Sequence, residues 1–363
     1  MLVISYIILA FLVIRLLIAL TNLVTRRWLF SGQHSGGQFI SILIPARNES
    51  ENIGKLLENI ISHDYTNYEV IVYDDMSEDN TLDIVKAYSM KDGRIGYIEG
   101  KELPEGWLGK NYACHRLSLK AKGSYFLFMD ADVKIEKGLI GSSLLYFNKE
   151  GLALLSIFPQ QEMVTAGEKL TVPLMNWILV SMLPLILVEY SSRTSLSAAN
   201  GQFMLFDAAI YRKCRWHEKA RSHKVEDIEI VKLVKREGYR SITLLSNGMI
   251  RCRMYRDLRE SIEGFSKNVT AFFGNSAFLT ILFTVMTSFG LFVLIFTSYL
   301  YTAVYIILSV MLRIVISIQS RQNVLTNILL IIPQQIAFIV VVFKALYNKS
   351  VKYGIWKGRQ IRF

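Results

Sequence analysis

Cysteine is scarce in this chain, with only Cys114, Cys214 and Cys252 among 363 residues. An odd number at wide spacing supports neither a disulfide framework nor a zinc site. It fits a reducing, cytosolic setting for the soluble part. The histidines His34, His63, His115, His217 and His223 show no metal-ligand spacing. Neither G-x-G-x-x-G nor a Walker motif occurs, so a phosphate cradled by a glycine-rich loop is not indicated. Acidic residues are outnumbered, 30 against 41 basic ones, giving a net charge of +11. No nucleic-acid-binding motif accompanies that charge. Much of the excess lies beside apolar segments, where it suits anionic lipid headgroups.

Several long segments lack charge. The chain is 52% hydrophobic, and Leu2 to Val24 is a nearly unbroken apolar stretch interrupted by Arg15. That length spans a bilayer, and the absence of a basic start and of a small-residue cleavage site argues against a signal peptide. Arg15 is expected to contact another helix and is given no function. Arg26 and Arg27 follow directly, which predicts a cytoplasmic location for their side. Ser276 to Leu312 contains no charge; it is too long for one crossing and predicts two helices broken near Thr297-Ser298-Tyr299. Val324 to Phe343 is a further candidate, followed by Lys344, Lys349, Lys352, Lys357, Arg359 and Arg362 without an acid. This basic tail also predicts a cytoplasmic location. Three crossings after the soluble block would put it outside, so either one segment is re-entrant or the preceding block crosses once. The expected organisation is an anchor at 1–25, a soluble domain at 38–275, two or three membrane segments at 276–343 and a tail at 344–363. The expected location is the cell membrane, multi-pass, with the catalytic domain cytoplasmic.

Between the membrane segments the pattern alternates strand and helix. Predicted strands are Phe39 to Pro45, Tyr68 to Tyr73, Ile95 to Ile98 and the run from Tyr125 to Met129. Helices are predicted at Asn52 to Ser62, with Ile53, Leu56, Leu57 and Ile60 on one side, at Thr81 to Met90 and near Tyr112 to Lys120. Strands separated this way imply an α/β fold with a mainly parallel sheet, which binds ligands at the carboxyl ends of its strands. The polar clusters Pro45-Ala-Arg-Asn-Glu49, Asp74-Asp-Met-Ser-Glu-Asp-Asn-Thr81 and Asp130-Ala-Asp132 fall at such ends. Taken singly, Asn48, Ser50, Ser77, Asp79 or Asn80 could simply cap a helix. Arg47 is placed to meet a phosphate and Asp75 to accept from a base or ribose. Asp130 and Asp132 lean to one face about 7 Å apart along the strand. They can share Mg²⁺ or Mn²⁺, hard cations that keep substrate phosphates in their shell.

After Gly151 the alternation disappears. Lys224-Val-Glu-Asp-Ile-Glu229 opens a helix running to Glu237, with Gly238 as a stop. Glu226 and Asp227 there could serve only the helix dipole. Leu170 to Val188 is apolar but holds Pro173, Asn176 and Pro184. It is expected to be an interfacial or re-entrant helix, or a buried one, because a crossing would separate Asp227 from Asp130.

I-P-A-R-N-E, D-D-M-S-E-D-N-T and M-D-A-D resemble the nucleotide-sugar half of family 2 glycosyltransferases with the GT-A fold. Pro104-Glu-Gly-Trp-Leu-Gly-Lys-Asn-Tyr-Ala-Cys114 resembles the signature of membrane members acting on carotenoid and hopanoid-type lipids. Trp356-Lys-Gly-Arg-Gln360 is similar to the tail of the diaponeurosporenoate glycosyltransferase group. The resemblance covers most of the chain. It implies Pro45, Ala46, Arg47, Glu49 and Asp75 for the nucleotide, with Asp75 on uracil. Asp130 and Asp132 bind the diphosphate through a metal, Asp132 as the direct ligand, and Lys110 lies near the diphosphate or donor sugar. Asn200 to Phe206 resembles the acceptor-side strand, with Gly201 and Gln202 on the acceptor side together with Trp356 and Arg359 of the tail. The Glu226-Asp227 pair supplies the general base, Asp227.

The implied activity is inverting transfer of a sugar, glucose from UDP-glucose foremost, to a lipid acceptor such as a carotenoid or carotenoic acid. A hydroxyl acceptor needs a base, whereas a carboxylate acceptor is already ionised. The competing readings are a polyprenyl-phosphate sugar transferase or other glycolipid synthase, and a non-catalytic nucleotide-binding membrane protein. A processive polysaccharide synthase is disfavoured because Gln-x-x-Arg-Trp is absent.

Overall fold

The computed structural model describes residues 1–25, 27–30, 32 and 37–350, and the backbone of 355–356 and 359–360. Arg26, His34, Lys352, Lys357 and Arg362 lie outside the described residues. Two compact units share the chain. One comprises Arg27–Gln160 and Leu187–Cys252, the other Met1–Arg26, Gln161–Ile186 and Arg253–Phe363.

The first unit is built on strands β1 (Ile40–Ala46), β2 (Tyr68–Asp74), β3 (Ile95–Glu99), β4 (Tyr125–Met129), β5 (Val133–Ile135), β6 (Leu154–Phe158), β7 (Gln160–Gln161), β8 (Phe203–Asp207), β9 (Ser241–Leu245) and β10 (Ile250–Cys252). Its main sheet has seven strands in the order β3-β2-β1-β4-β8-β6-β9. β1 is parallel to β2 and β4, with Ile42 opposite both Val70 and Leu127. β8 runs against β4 and β6. The sheet is therefore mixed at one place only, where β8 inserts.

Ile40, Ile42, Leu43 and Ile44 are fully buried because helices cover both faces of β1. The exception in that run, Ser41, is buried but satisfied. Its hydroxyl donates to Glu69 Oε1 at 2.6 Å and accepts from the Gly123 amide at 2.8 Å. Helix Ile53–Ile61 buries Ile53, Leu56, Leu57 and Ile60, the side expected from the spacing. Each such side chain contributes roughly 1.5–3 kcal/mol on burial. Helices Thr81–Lys91 and Gly109–Lys120 occupy the predicted places, the latter starting three residues earlier than its apolar pattern. β9 and β10 went unforeseen. They lie beyond Gly151, where the alternation fails because β8 returns antiparallel from a long helical excursion.

The second unit is helical. Leu2–Thr25, Tyr299–Gln319 and Ile331–Ser350 are each long and apolar enough to cross a membrane. The break expected near Thr297-Ser298-Tyr299 is present, and Ser298 caps the new helix by accepting from the Leu300 amide. The helix expected to end at Phe343 continues to Ser350, so Lys344 and Lys349 belong to it and not to the tail.

Contacts fix the helix directions. Ser5 donates to Thr297 (3.1 Å) and Gln319 Nε2 donates to Ala19 O (2.7 Å), so Leu2–Thr25 and Tyr299–Gln319 run the same way. Ala277–Ser288 and Gly290–Ile295 run the other way, with Phe283 against Phe11 and Gly290 against Ile8. Ile331–Ser350 joins Gln335 to Ser288 (2.7 Å) and Lys349 to Asn275 O (3.0 Å), and so runs antiparallel to Ala277–Ser288. Leu258–Phe273 meets Ala277–Ser288 at a bend of 103°. Within 170–188 the helices Ala166–Thr171, Pro173–Met182 and Leu185–Tyr190 are short. The longest has 10 residues, about 15 Å, half a bilayer core.

Candidate active site

The carboxyl ends of β2, β1 and β4, adjacent strands of one sheet, carry the three polar clusters. The end of β1 is tied to the loop after β2. The Asp75 amide donates to Ala46 O at 2.8 Å, and Arg47 Nη1 donates to Asp75 O (2.6 Å) and Met76 O (2.8 Å). Arg47 Nη2 reaches Glu78 Oε1 at 3.0 Å. Arg47 is 5% exposed and Asp75 3%. The guanidinium placed by the sequence to meet a phosphate is thus engaged in bracing the loop that holds Asp75. Pro45 precedes Ala46 at the strand end. Glu49 receives Asn52 Nδ2 at 2.8 Å, and its own amide donates to Thr81 Oγ1 at 2.8 Å.

Among the capping alternatives Asp79 serves a helix start, accepting from the amide of Thr81, the first residue of Thr81–Lys91. Asn52 and Asn80 precede the two helices without a side-chain cap. Asn48 adopts a positive φ of 53° and accepts from the Glu78 amide. Asp79 accepts from the Ser50 and Thr81 amides at 3.0 Å. The two loops therefore bind each other. Although burial opposes ionisation, bonds from Thr81 and Ser50 hold the Asp79 carboxyl down at about 2.

Beyond β4 a second cluster forms around Lys110, at the start of Gly109–Lys120. Its ammonium lies 2.8 Å from Asp130 Oδ1 and 3.2 Å from Glu226 Oε1. Burial disfavours this cation, but Asp130 and Glu226 hold it charged, and its pKa is raised. Gly201 makes the bridge possible: a Cβ there would sit 2.8 Å from Lys110 Nζ and 3.2 Å from Glu226 Oε1. The close approach that this glycine allows is by the protein's own ion pair.

Asp227, one residue along the helix Glu226–Arg236, accepts from the Gly201 amide (3.0 Å) and the Ile228 amide (2.8 Å). Burial and the neighbouring Glu226 carboxylate raise its pKa to about 7, although Lys110 and those two amides favour the ionised form. Gln202 is buried and donates to Asp132 at 3.3 Å and to Cys252 Sγ at 2.7 Å. Pairing of β5 with β10, Val133 opposite Cys252, brings that thiol to Asp132.

Sequence reasoning missed Asn111. It is 1% exposed and its Nδ2 donates to Ala220 O (2.8 Å), His223 O (3.0 Å) and Arg221 O (3.1 Å). It fastens the segment leading into Glu226 to the turn that carries Lys110. Its position next to Lys110 was the only signal in the sequence. Trp356 and Arg359 lie in two short antiparallel strands, Ile355–Trp356 and Arg359–Gln360, and their side chains lie outside the described residues.

The family description "Glycosyl transferase family 2" matches residues 41–213, which include β1, β2, β4, Lys110 and Gly201. These residues are a family 2 glycosyltransferase domain. The chain is 29% identical over 241 residues to the 4,4'-diaponeurosporenoate glycosyltransferase of Staphylococcus haemolyticus; the match covers 64% of this chain and 61% of that protein. It is 25% identical over 336 residues to the protein of the same name from Staphylococcus aureus, covering 88% of each. A mannosyltransferase from Pyrobaculum calidifontis, solved with GDP-Man and Mn²⁺, shares the fold. That likeness has a TM-score of 0.58 at 16% identity and covers 96% of this chain and 99% of that chain.

Proposed function

We propose that this glycosyltransferase is membrane-bound and inverting, and that it moves glucose from UDP-glucose to the carboxylate of a long apolar acid of the carotenoid type. The observation carrying this reading is the grouping of Lys110, Asp130, Glu226, Gly201 and Asp227 beside the ends of β4 and β8. The similarity to proteins named for diaponeurosporenoate supports the acceptor class.

In this reading Asp75, held by Arg47, accepts from the uracil, while Pro45, Ala46 and Glu49 shape the nucleotide pocket. Asp130 and Asp132 are oxygen donors at a partly exposed strand end, a donor set that suits Mg²⁺ or Mn²⁺. Among the described residues no group of three or more His, Cys, Asp or Glu is arranged to hold a metal ion, so Asp130 and Asp132 are the residues that would hold it. When bound, the cation stabilises charge on the diphosphate leaving group. Gln202 holds the Asp132 carboxylate. Lys110 releases Asp130 as the donor binds and turns its charge toward the diphosphate.

A carboxylate acceptor brings its own negative charge and has no proton to lose. Asp227, with a pKa of about 7, is readily neutral; it then positions that acceptor by a hydrogen bond. Directed attack of the acceptor oxygen opposite the diphosphate inverts the anomeric carbon. The soluble unit and the tail share the cytoplasmic side. Because Ile331–Ser350 runs in the same direction as Tyr299–Gln319, the stretch Val324–Ser350 enters and leaves by one face.

Lipid extracts from a host supplied with a carotenoic acid and expressing the protein should contain its hexose ester by mass spectrometry. An Asp132→Ala host should lack it. A hexosylated polyprenyl phosphate in its place would support the alternative transferase reading.

A further inference from the structure

The helical unit buries two arginines that the transfer reaction does not use. Arg15 is 2% exposed and Arg313 is 5% exposed, in helices whose remaining residues are almost wholly apolar. Both lie against one indole, their guanidinium carbons 4.3 and 4.7 Å from the Trp177 ring. The two cations are thus within about 9 Å of each other, close enough to repel strongly in a low dielectric. Arg15 donates to Ser181 Oγ at 2.7 Å and to Trp177 O at 3.4 Å. Among the described residues no carboxylate pairs with either arginine, and the Arg313 guanidinium has no hydrogen-bond acceptor. Aromatic faces reduce the cost of burying such a cation, but neutral partners do not cancel two positive charges. Ionisable groups inside a membrane bundle are costly and retained for use.

Polar groups short of partners continue from this point. One turn past Arg313, the Ser317 hydroxyl accepts from Asn327 Nδ2 at 2.9 Å. Asn327 also reaches Gln322 and Gln334. In that buried network Gln322 Nε2 and Gln334 Oε1 have no partner. Arg313 lies six residues from the end of its helix and Arg15 ten from the end of its own, about 9 and 15 Å. Those two ends lie together, since Gln319 contacts Ala19. The pair is thus within reach of a headgroup entering from that face.

We propose that Arg15 and Arg313 form a binding site for the anionic headgroup of a lipid, a carboxylate or a phosphodiester on a long apolar chain. Guanidinium forks suit either oxyanion. One anion between them would neutralise the repulsion, and its chain would lie along the apolar helices. The site concerns lipid binding in the bundle and stands whether or not Asp227 acts as assigned above.

Native mass spectrometry of the full-length protein tests it. The protein is released from nanodiscs of phosphatidylcholine containing one-tenth of either phosphatidylglycerol or a long-chain fatty acid. Retention of one anionic lipid at least fivefold above its share in the disc supports the site; which disc supplies it identifies a phosphodiester or a carboxylate. Arg313→Met should bring retention down to that share, and Arg313→Lys should fall between. Retention of both anionic lipids in proportion to their abundance by the unaltered protein overturns the proposal, whatever the variants do. So does equal enrichment by a folded Arg313→Met protein that still binds UDP.

Discussion

Replacing Asp227 by asparagine separates two chemistries that the same site could perform. The pKa of Asp227 rises from 3.8 to about 7, so ionising it in place costs about 4 kcal/mol more than in water. Removal of water and the charge of Glu226 supply that cost. At pH 8 about one molecule in ten carries a neutral Asp227. If the acceptor is a carboxylate, the neutral form is the productive one. The ratio kcat/KM should then fall about tenfold per unit above pH 7.5, with an acidic limb near the acceptor's own pKa. A side-chain amide cannot ionise, so Asp227→Asn should stay within about tenfold of the parent at pH 6.5 and lose the alkaline fall. Stability gives a second readout. A carboxyl whose folded pKa is raised has its contribution intact below its unfolded pKa near 4 and loses it as pH climbs through 7. Asp227→Asn should therefore be more stable than the parent at pH 8. The side chain is only partly buried, so about 1–3 kcal/mol, or several degrees in Tm, is the expected scale. The assay is ester formation by purified protein in nanodiscs from pH 5 to 9. Rates that rise with pH through 7, together with a hundredfold loss in Asp227→Asn, would refute this reasoning and make Asp227 the base for a hydroxyl acceptor.

Other consequences follow from the same geometry. Asp132→Asn should keep the fold and lose transfer, and excess EDTA should reproduce the loss; full turnover in EDTA would dismiss the metal. Arg47→Lys removes the fork that spans Asp75 O, Met76 O and Glu78, so it should cost about 1–3 kcal/mol in a thermal-shift assay and weaken UDP binding by calorimetry. An unchanged UDP affinity would detach Asp75 from the nucleotide. Single cysteines at Ser222 and Ser350, after removal of the native three, should both resist an impermeant reagent in intact cells. Labelling at Ser350 alone would mean that Val324–Ser350 crosses outright.

The sequence alone determined the parallel half of the sheet and the placing of its polar carboxyl edge. Apolar runs such as Ile40–Ile44 admit only a strand covered on both faces, and polar clusters at their ends have nowhere to lie but the carboxyl edge. The residues of one strand end, Asp130 and Asp132, were legible for the same reason, and so was the apolar face of Ile53–Ile61. Tertiary structure decided what local pattern cannot encode. That Arg47 braces the loop after β2 could not be read from its position at the end of β1. The meeting of Lys110, Gly201 and Glu226 joins positions far apart in the chain, and only the insertion of antiparallel β8 brings them together. Asn111, a buried amide serving three carbonyls, has no signature because those acceptors are backbone groups that any sequence carries. Charge asymmetry predicted one side for Arg27 and the tail but could not choose among the helices to make that possible. The direction of Ile331–Ser350, set by side chains such as Gln335 and Lys349 finding partners on Ala277–Ser288 and at Asn275, is a property of packing and not of composition.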